Sequence, residues 1–211
     1  MKEFPSDKVI FTGNPCSEDA IKKDAMDKKE LGLSKNKKLV LFVMGSLGSS
    51  KVNEFLIKTM PLFDKKDYEV LYVTGKQGYD EIIKNKFPNN VKVVPYVENM
   101  TRIMKKTDLI VTRSGASTLS EIIALKTPSI LIPSPYVPNN HQYVNAMDLV
   151  NIDAAILMEE KDLDSKKLVS IIDESLNDDK KLNKMKTNLE KLDIKESATV
   201  IYNNIKKLID R

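Results

Sequence analysis

Residues 108–146 read DLIVTRSGASTLSEIIALKTPSILIPSPYVPNNHQYVNA. Leu109, Ile110 and Val111 form an apolar run that ends in a small-residue turn, Ser114-Gly115-Ala116-Ser117. A helical pattern starts at Thr118 and stops before Pro128, which lacks an N–H and pushes its predecessor out of the helical region. Ile130, Leu131 and Ile132 form a second apolar run, a Pro/Asn loop follows, and another helix begins near His141. Short apolar runs without alternation suit strands covered on both faces. Strand, turn, helix, strand, loop, helix is a βαβα unit whose polar side chains gather where the strands end. Open parallel sheets bind ligands at that carboxyl edge.

Working outward, the 211 residues are 30% charged and 41% hydrophobic, enough to bury a core as one large domain or two small ones. The net charge of +4 is spread along the chain, and Lys-rich helices interleaved with Glu and Asp read as solvated faces, so no nucleic-acid partner is expected. A single cysteine, Cys16, excludes an internal disulfide and fits a reducing compartment. No apolar stretch approaches the roughly 20 residues that span a bilayer, and no signal-peptide pattern is present, so membrane contact is expected to be peripheral only. Arginine occurs only at 102, 113 and 211. One of the three in the central turn suggests a need for a fork-shaped hydrogen-bond donor, against a chance surface residue.

From the start, residues 8–12 read as a short strand broken by Gly13-Asn14-Pro15. Ser17, backed by Glu18 and Asp19, is expected to N-cap a Lys-rich helix. Residues 38–44 are a buried strand, and the Gly45–Ser50 loop leads into a helix running to about Leu62. Such a loop lets backbone N–H groups and a helix N-terminus meet a phosphate, although it is neither a dinucleotide fingerprint nor a Walker loop. Residues 69–74 and 91–95 are further strands, with helices expected to Lys86 and to Lys106. A sixth strand covers 154–158, and the remainder is helical: Leu168, Ile171, Ile172 and Leu176 keep helical spacing, as do Ile201, Ile205, Leu208 and Ile209. Asp162-Leu163-Asp164 has the form of a metal-holding DxD but sits where a helix begins, which favours capping. No His/Cys/carboxylate cluster has metal spacing, and neither metal nor cofactor is expected. Six strands alternating with helices predict an α/β fold, a single Rossmann-like domain with a six-stranded parallel sheet.

Arg113-Ser114-Gly115-Ala116-x-Thr118-x-Ser120-Glu121, followed by His141-Gln142-x-x-Asn145-Ala146, resembles the sugar-donor signature of the MurG-type UDP-N-acetylglucosamine transferases of peptidoglycan synthesis, two-domain GT-B enzymes. Thr12-Gly13-Asn14-Pro15 and Gly45-Ser46-Leu47-Gly48 fit the same family in the expected order. The resemblance spans nearly the whole chain and covers the C-terminal half of such a glycosyltransferase. It implies that residues 1–16 are an interdomain hinge, centred on Asn14, with its preceding strand, and that 17–211 are the UDP-sugar-binding domain. It implies substrate contacts at Ser46, Val97, Arg113, Ala116, Ser117, Thr118, Glu121, Gln142 and Asn145, and a phosphate loop of Gly45, Ser46, Leu47 and Gly48. Glu121 would hold the ribose hydroxyls, Gln142 the N-acetylglucosamine ring, and backbone groups near Tyr96–Met100 the uracil. Where the family's hinge motif continues with an apolar residue and an arginine, this chain has Cys16 and Ser17, and an arginine at 17 is expected to tighten UDP binding.

The residues themselves leave alternatives beside these roles. Thr118 and Glu121 also fit a capping box, Thr118 as N-cap and Glu121 reaching back, although a carboxylate equally suits two vicinal hydroxyls. Gln142 and Asn145 lie three apart at a helix start and share a face. His141, the only histidine, reads as a hydrogen-bonding surface residue. No Gly-Gly-His acceptor motif occurs, so no catalytic residue is expected in this chain. The resemblance implies transfer of N-acetylglucosamine from UDP-N-acetylglucosamine to lipid I, giving lipid II. Lipid I and peripheral membrane contact would belong to the N-terminal domain, on the cytoplasmic face of the bacterial plasma membrane. The alternatives are a donor-binding subunit of a split two-chain enzyme, against which the hinge motif argues, and a non-catalytic UDP-sugar-binding module, which the missing arginine favours.

Overall fold

The computed structural model describes residues 5–45, 49–192 and 196–210. Its centre is a sheet of β1 (Leu39–Val43), β2 (Glu69–Val73), β3 (Val91–Val94), β4 (Leu109–Thr112), β5 (Ser129–Leu131) and β6 (Ala155–Leu157). All pairings are parallel and the order is β3-β2-β1-β4-β5-β6. Around it lie α1 (Cys16–Lys22), α2 (Ser50–Thr59), α3 (Tyr79–Ile82), α4 (Met100–Met104) and α5 (Ala116–Leu125). They are followed by α6 (His141–Val150), α7 (Ser165–Asn177), α8 (Asp179–Glu190) and α9 (Ser197–Ile209). The expected α/β architecture is therefore present.

The pleat of β1 explains the layers. Val40 and Phe42 enter one core with Val52 and Leu56 of α2 and Leu168, Ile172 and Leu176 of α7. Leu39, Leu41 and Val43 point the other way, onto Ile103 and Met104 of α4, Leu119 and Ile122 of α5, and Leu149 of α6. Alternate residues of one strand thus serve opposite faces, and both faces are roofed by helices. The connections reverse direction between β1 and β4, so the chain splits apart beyond their carboxyl ends and leaves a crevice there.

Several boundaries differ from the sequence reading. Residues 8–12 form no strand: Ser6–Lys8 is a 3-10 turn, and Ile10 and Phe11 are 57% and 79% exposed with no strand beside them. Helix α2 stops at Thr59 because Pro61 converts the continuation into a 3-10 turn, Met60–Phe63. Helix α3 is a single turn, and Asn85 closes it by donating to the Ile82 carbonyl at 2.9 Å. The capping reading of Asp164 holds, since its carboxylate accepts the Lys167 N–H at 2.7 Å. Helix α1 packs along α5; Arg102 Nε donates to the Asp24 carbonyl just beyond α1, and Glu18 Oε1 accepts the Ala198 N–H of α9.

A buried network secures the far side of the crevice. Asn53 of α2 donates to the Thr74 carbonyl at 3.2 Å and accepts the Tyr72 hydroxyl at 2.9 Å. Burial pushes the Tyr72 phenol well above its ordinary value, so it remains a donor. Asn53→Leu leaves both partners unpaired beneath α2 and is expected to cost about 2–4 kcal/mol. Tyr72→Phe in that background should recover part of the loss, as urea unfolding of the two variants will show.

Candidate functional site

The cleft beyond β1 and β4 has a volume of about 460 Å³. Gly45 closes one side with φ at +85°, a conformation that disfavours any side chain, and nothing lies within 4 Å of where a Cβ would stand. Residues 95–97, 99–101 and 104 form a second wall, with Val97 buried and Tyr96 half-exposed beneath Lys76 Nζ. The third wall is the start of α5, where Ser117, Thr118 and Glu121 line the space. Asp19 of α1 and Lys23, the residue just beyond it, complete it.

Helix α5 begins two residues earlier than the sequence suggests, at Ala116 with Gly115 as N-cap. Thr118 is therefore inside the first turn, no side chain caps the helix, and the capping box does not form. Among the described residues no side chain takes the first-turn N–H groups, so the positive helix end faces the cleft with the chemistry that suits an anion. Glu121 accepts no hydrogen bond among the described residues, so its carboxylate is uncommitted. Burial raises its pKa; Lys23 opposes that shift and Asp19 adds to it.

The remaining expected residues divide. Ala116, Asn145 and Asn14 line a second cavity of about 890 Å³ on the other flank of α5, beside Leu119, Ile123 and Leu149. Ser46, Leu47 and Gly48 lie outside the described residues. Gln142 accepts the Ser134 N–H on Oε1 at 2.8 Å, which fixes its amide orientation and leaves the NH₂ group without a partner among the described residues; the residue lines neither the cleft nor the second cavity. Asn145 donates to the Ser114 carbonyl at 3.2 Å, and Ser114 donates to the Gln142 carbonyl at 2.7 Å, so α6 is fastened to the turn after β4. His141 is exposed, and its Nδ1 carries a proton for the Pro138 carbonyl at 2.9 Å.

Arg113 departs from its expected role. Its guanidinium is buried and donates to the Ile132 carbonyl at 3.1 Å, to Ser49 Oγ at 2.9 Å and to Glu160 Oε2 at 2.7 Å. The fork is needed, as the scarcity of arginine suggested, but for partners within the protein. Glu160 was missed because Glu159-Glu160-Lys161 reads as a solvated charge run, yet its side chain is 2% exposed. Lys51 Nζ lies 3.4 Å from the other Glu160 oxygen and donates to the Tyr136 hydroxyl at 3.1 Å.

Ser17 also differs from expectation. It is fully buried, with Oγ donating to the Asn14 carbonyl at 2.6 Å, and the Asn14 side chain accepts the Cys16 N–H instead. A packed position cannot deliver an arginine to the phosphates, so the gain expected from Ser17→Arg is withdrawn. Among the described residues no three His, Cys, Asp or Glu gather as a metal site, and no helix is long and apolar enough to cross a membrane.

The model of the glycosyltransferase family 28 C-terminal domain matches residues 39–201. UDP-N-acetylglucosamine--N-acetylmuramyl-(pentapeptide) pyrophosphoryl-undecaprenol N-acetylglucosamine transferase 1 of Bacillus cereus is 41% identical over 216 residues, covering 100% of this chain and 59% of its own length. The transferase of the same description from Bacillus licheniformis is 40% identical, covering 97% of this chain and 57% of its own. Among solved structures, Acinetobacter baumannii MurG superposes with a TM-score of 0.77 at 21% identity, over 98% of this chain and 58% of that one. Glycosyltransferase VinC in complex with dTDP gives 0.70 at 18% identity, over 98% and 49%. These two structural likenesses show the fold alone. The chain thus spans about three-fifths of the curated relatives' length.

Removing one member of the buried pair strands the other. Arg113→Met is expected to cost about 3–5 kcal/mol, and adding Glu160→Met should restore most of it, measured by denaturant unfolding of the single and double variants.

Proposed function

We propose, since the chain belongs to the glycosyltransferase family 28 C-terminal domain family, that its crevice binds the nucleotide of UDP-N-acetylglucosamine. One observation carries the reading: Gly45, Val97, Ser117, Thr118 and Glu121, distant in sequence, line one cleft at the carboxyl edge where the strand order reverses. In this reading the 95–101 wall takes the uracil through backbone groups, and Glu121 accepts from the ribose hydroxyls. The N-terminus of α5 and the loop from Gly45 to Gly48 receive the diphosphate, and the free NH₂ of Gln142 donates to the sugar.

The names of the relatives support the wider proposal that the whole enzyme transfers N-acetylglucosamine to lipid I, giving lipid II; its placement as a peripheral enzyme on the inner face of the plasma membrane belongs to the same proposal. An inverting transfer needs a base for the acceptor hydroxyl, stabilisation of the departing UDP, and exclusion of water. The cleft residues supply the second. Acceptor handling is assigned to the part of the relatives beyond the aligned region, with residues 1–16 as hinge and 17–211 as donor-binding domain. The rival reading of a non-catalytic binding module rests on the missing arginine at 17, where the chain has instead a serine packed against the Asn14 carbonyl.

The 211-residue chain is expected to bind UDP and uridine by calorimetry and to transfer no sugar; turnover of lipid I by this chain alone would overturn the assignment of acceptor handling. Glu121→Gln should weaken uridine binding about tenfold, the loss of one hydrogen bond to a charged acceptor. The stability effect has the opposite sign. With its pKa raised on folding, Glu121 binds more protons in the folded than in the unfolded state between the two values. It therefore lowers stability as pH rises from the unfolded value through the folded one. Glu121→Gln should accordingly melt higher than the parent at neutral pH, and the difference should vanish in acid below both values. Equal uridine binding by parent and variant would reject the ribose role.

A further inference from the structure

Helix α1 and its C-terminal end also wall the cleft. Asp19 and Lys23 stand one turn apart on the flank that packs against α5, both line the cavity, and Lys23 Nζ meets Asp19 Oδ2 at 2.5 Å. Glu121, the third charged group lining the space, faces them from α5. Helix α5 carries no other charge along its length. The elements on its other flanks send theirs elsewhere: Asp148 of α6 and Lys191 beyond α8 line the second cavity, and Lys126 pairs with Glu190 of α8. Among the described residues lining the cleft, the only other titratable side chain is Tyr96, which lies under Lys76. Among the described residues lining the cleft, then, Glu121 answers electrostatically to one cation and one anion, which come from the end of α1 and from α1 itself.

We infer that Lys23 and Asp19 are positioning residues of the ribose site, Lys23 holding the Glu121 carboxylate in the ionised form that accepts hydroxyls and Asp19 tempering that hold. The inference rests on the reading of this cleft as a nucleotide site. The physical reason lies in the burial of Glu121. A half-buried carboxylate loses hydration, and a cation across the cavity restores part of what water supplied. An exposed lysine in the same place would be screened, but Lys23 keeps only a third of its side-chain surface. Its pairing with Asp19 limits its reach while fixing its position, so the two residues act on Glu121 with opposite signs. Both signs appear in the direction of the Glu121 shift, which Lys23 lowers and Asp19 raises.

The experiment reads the Glu121 side-chain carboxyl by carbon NMR against pH, with uridine titrated by calorimetry over the same range, in the parent, Lys23→Gln, Asp19→Asn and Lys23→Arg. Lys23→Gln should move the acid midpoint of Glu121 and of uridine binding upward by about 0.5 pH, a loss of up to about threefold in uridine affinity on the acid side of the midpoint and none on the alkaline side. Asp19→Asn should move both midpoints downward, and Lys23→Arg should leave them near the parent's. Opposed shifts of this kind do not arise from a helix that merely packs, and thermal melts of each variant check that folding is intact. If the parent binds uridine and the midpoints of Lys23→Gln and Asp19→Asn stay with it, or both move the same way, this inference falls and the nucleotide reading stands. If the parent binds no uridine, the nucleotide reading has failed and takes the inference with it.

Discussion

The arrangement depends on one buried ion pair. Arg113 leaves the end of β4 and, through three hydrogen bonds, gathers Ile132 after β5, Ser49 at the start of α2, and Glu160 after β6. A buried pair is poor evidence for stability, because desolvating both charges offsets most of their attraction. Its value is in geometry. A planar guanidinium offers donors in fixed directions, so these loop ends cannot drift independently. The chain ends after β4, β5 and β6 and the start of α2 are therefore held as one unit.

Position along the chain was legible where a single physical reason dominates. Strand runs such as LVLFV at 39–43 are apolar because both faces are covered, and the sequence shows that directly. Pro128 and Asp164 mark boundaries for equally local reasons. Boundaries that depend on competition were misread. Thr118 fits an N-cap by type, yet Gly115 takes that place because the turn after β4 brings it there first. Residues 8–12 have strand composition but no neighbouring strand to pair with.

The site was legible in the same uneven way. Glu121, Thr118 and Val97 share one cleft, whereas Arg113 has a structural task that its motif position concealed. Glu160 carried no signal, since burial of a charge is a property of the fold and its neighbours Glu159 and Lys161 look alike in sequence. Asp19 and Lys23 were equally silent: on paper they belong to a solvated helix, and only the packing of α1 on α5 turns them toward the cavity.

Helix α1 also has a mechanical standing. It touches α5 along its length, is tied to α4 through Arg102, and holds the first turn of α9 through Glu18. It is thus a crossbeam between the cleft wall and the last helix. Linkage makes such a beam reciprocal. A ligand that prefers one seating of α1 over another favours the matching seating of α9, and whatever restrains α9 returns the same free energy to the ligand. On the proposed nucleotide reading, the affinity of the cleft would then depend on how α1 and α9 are held.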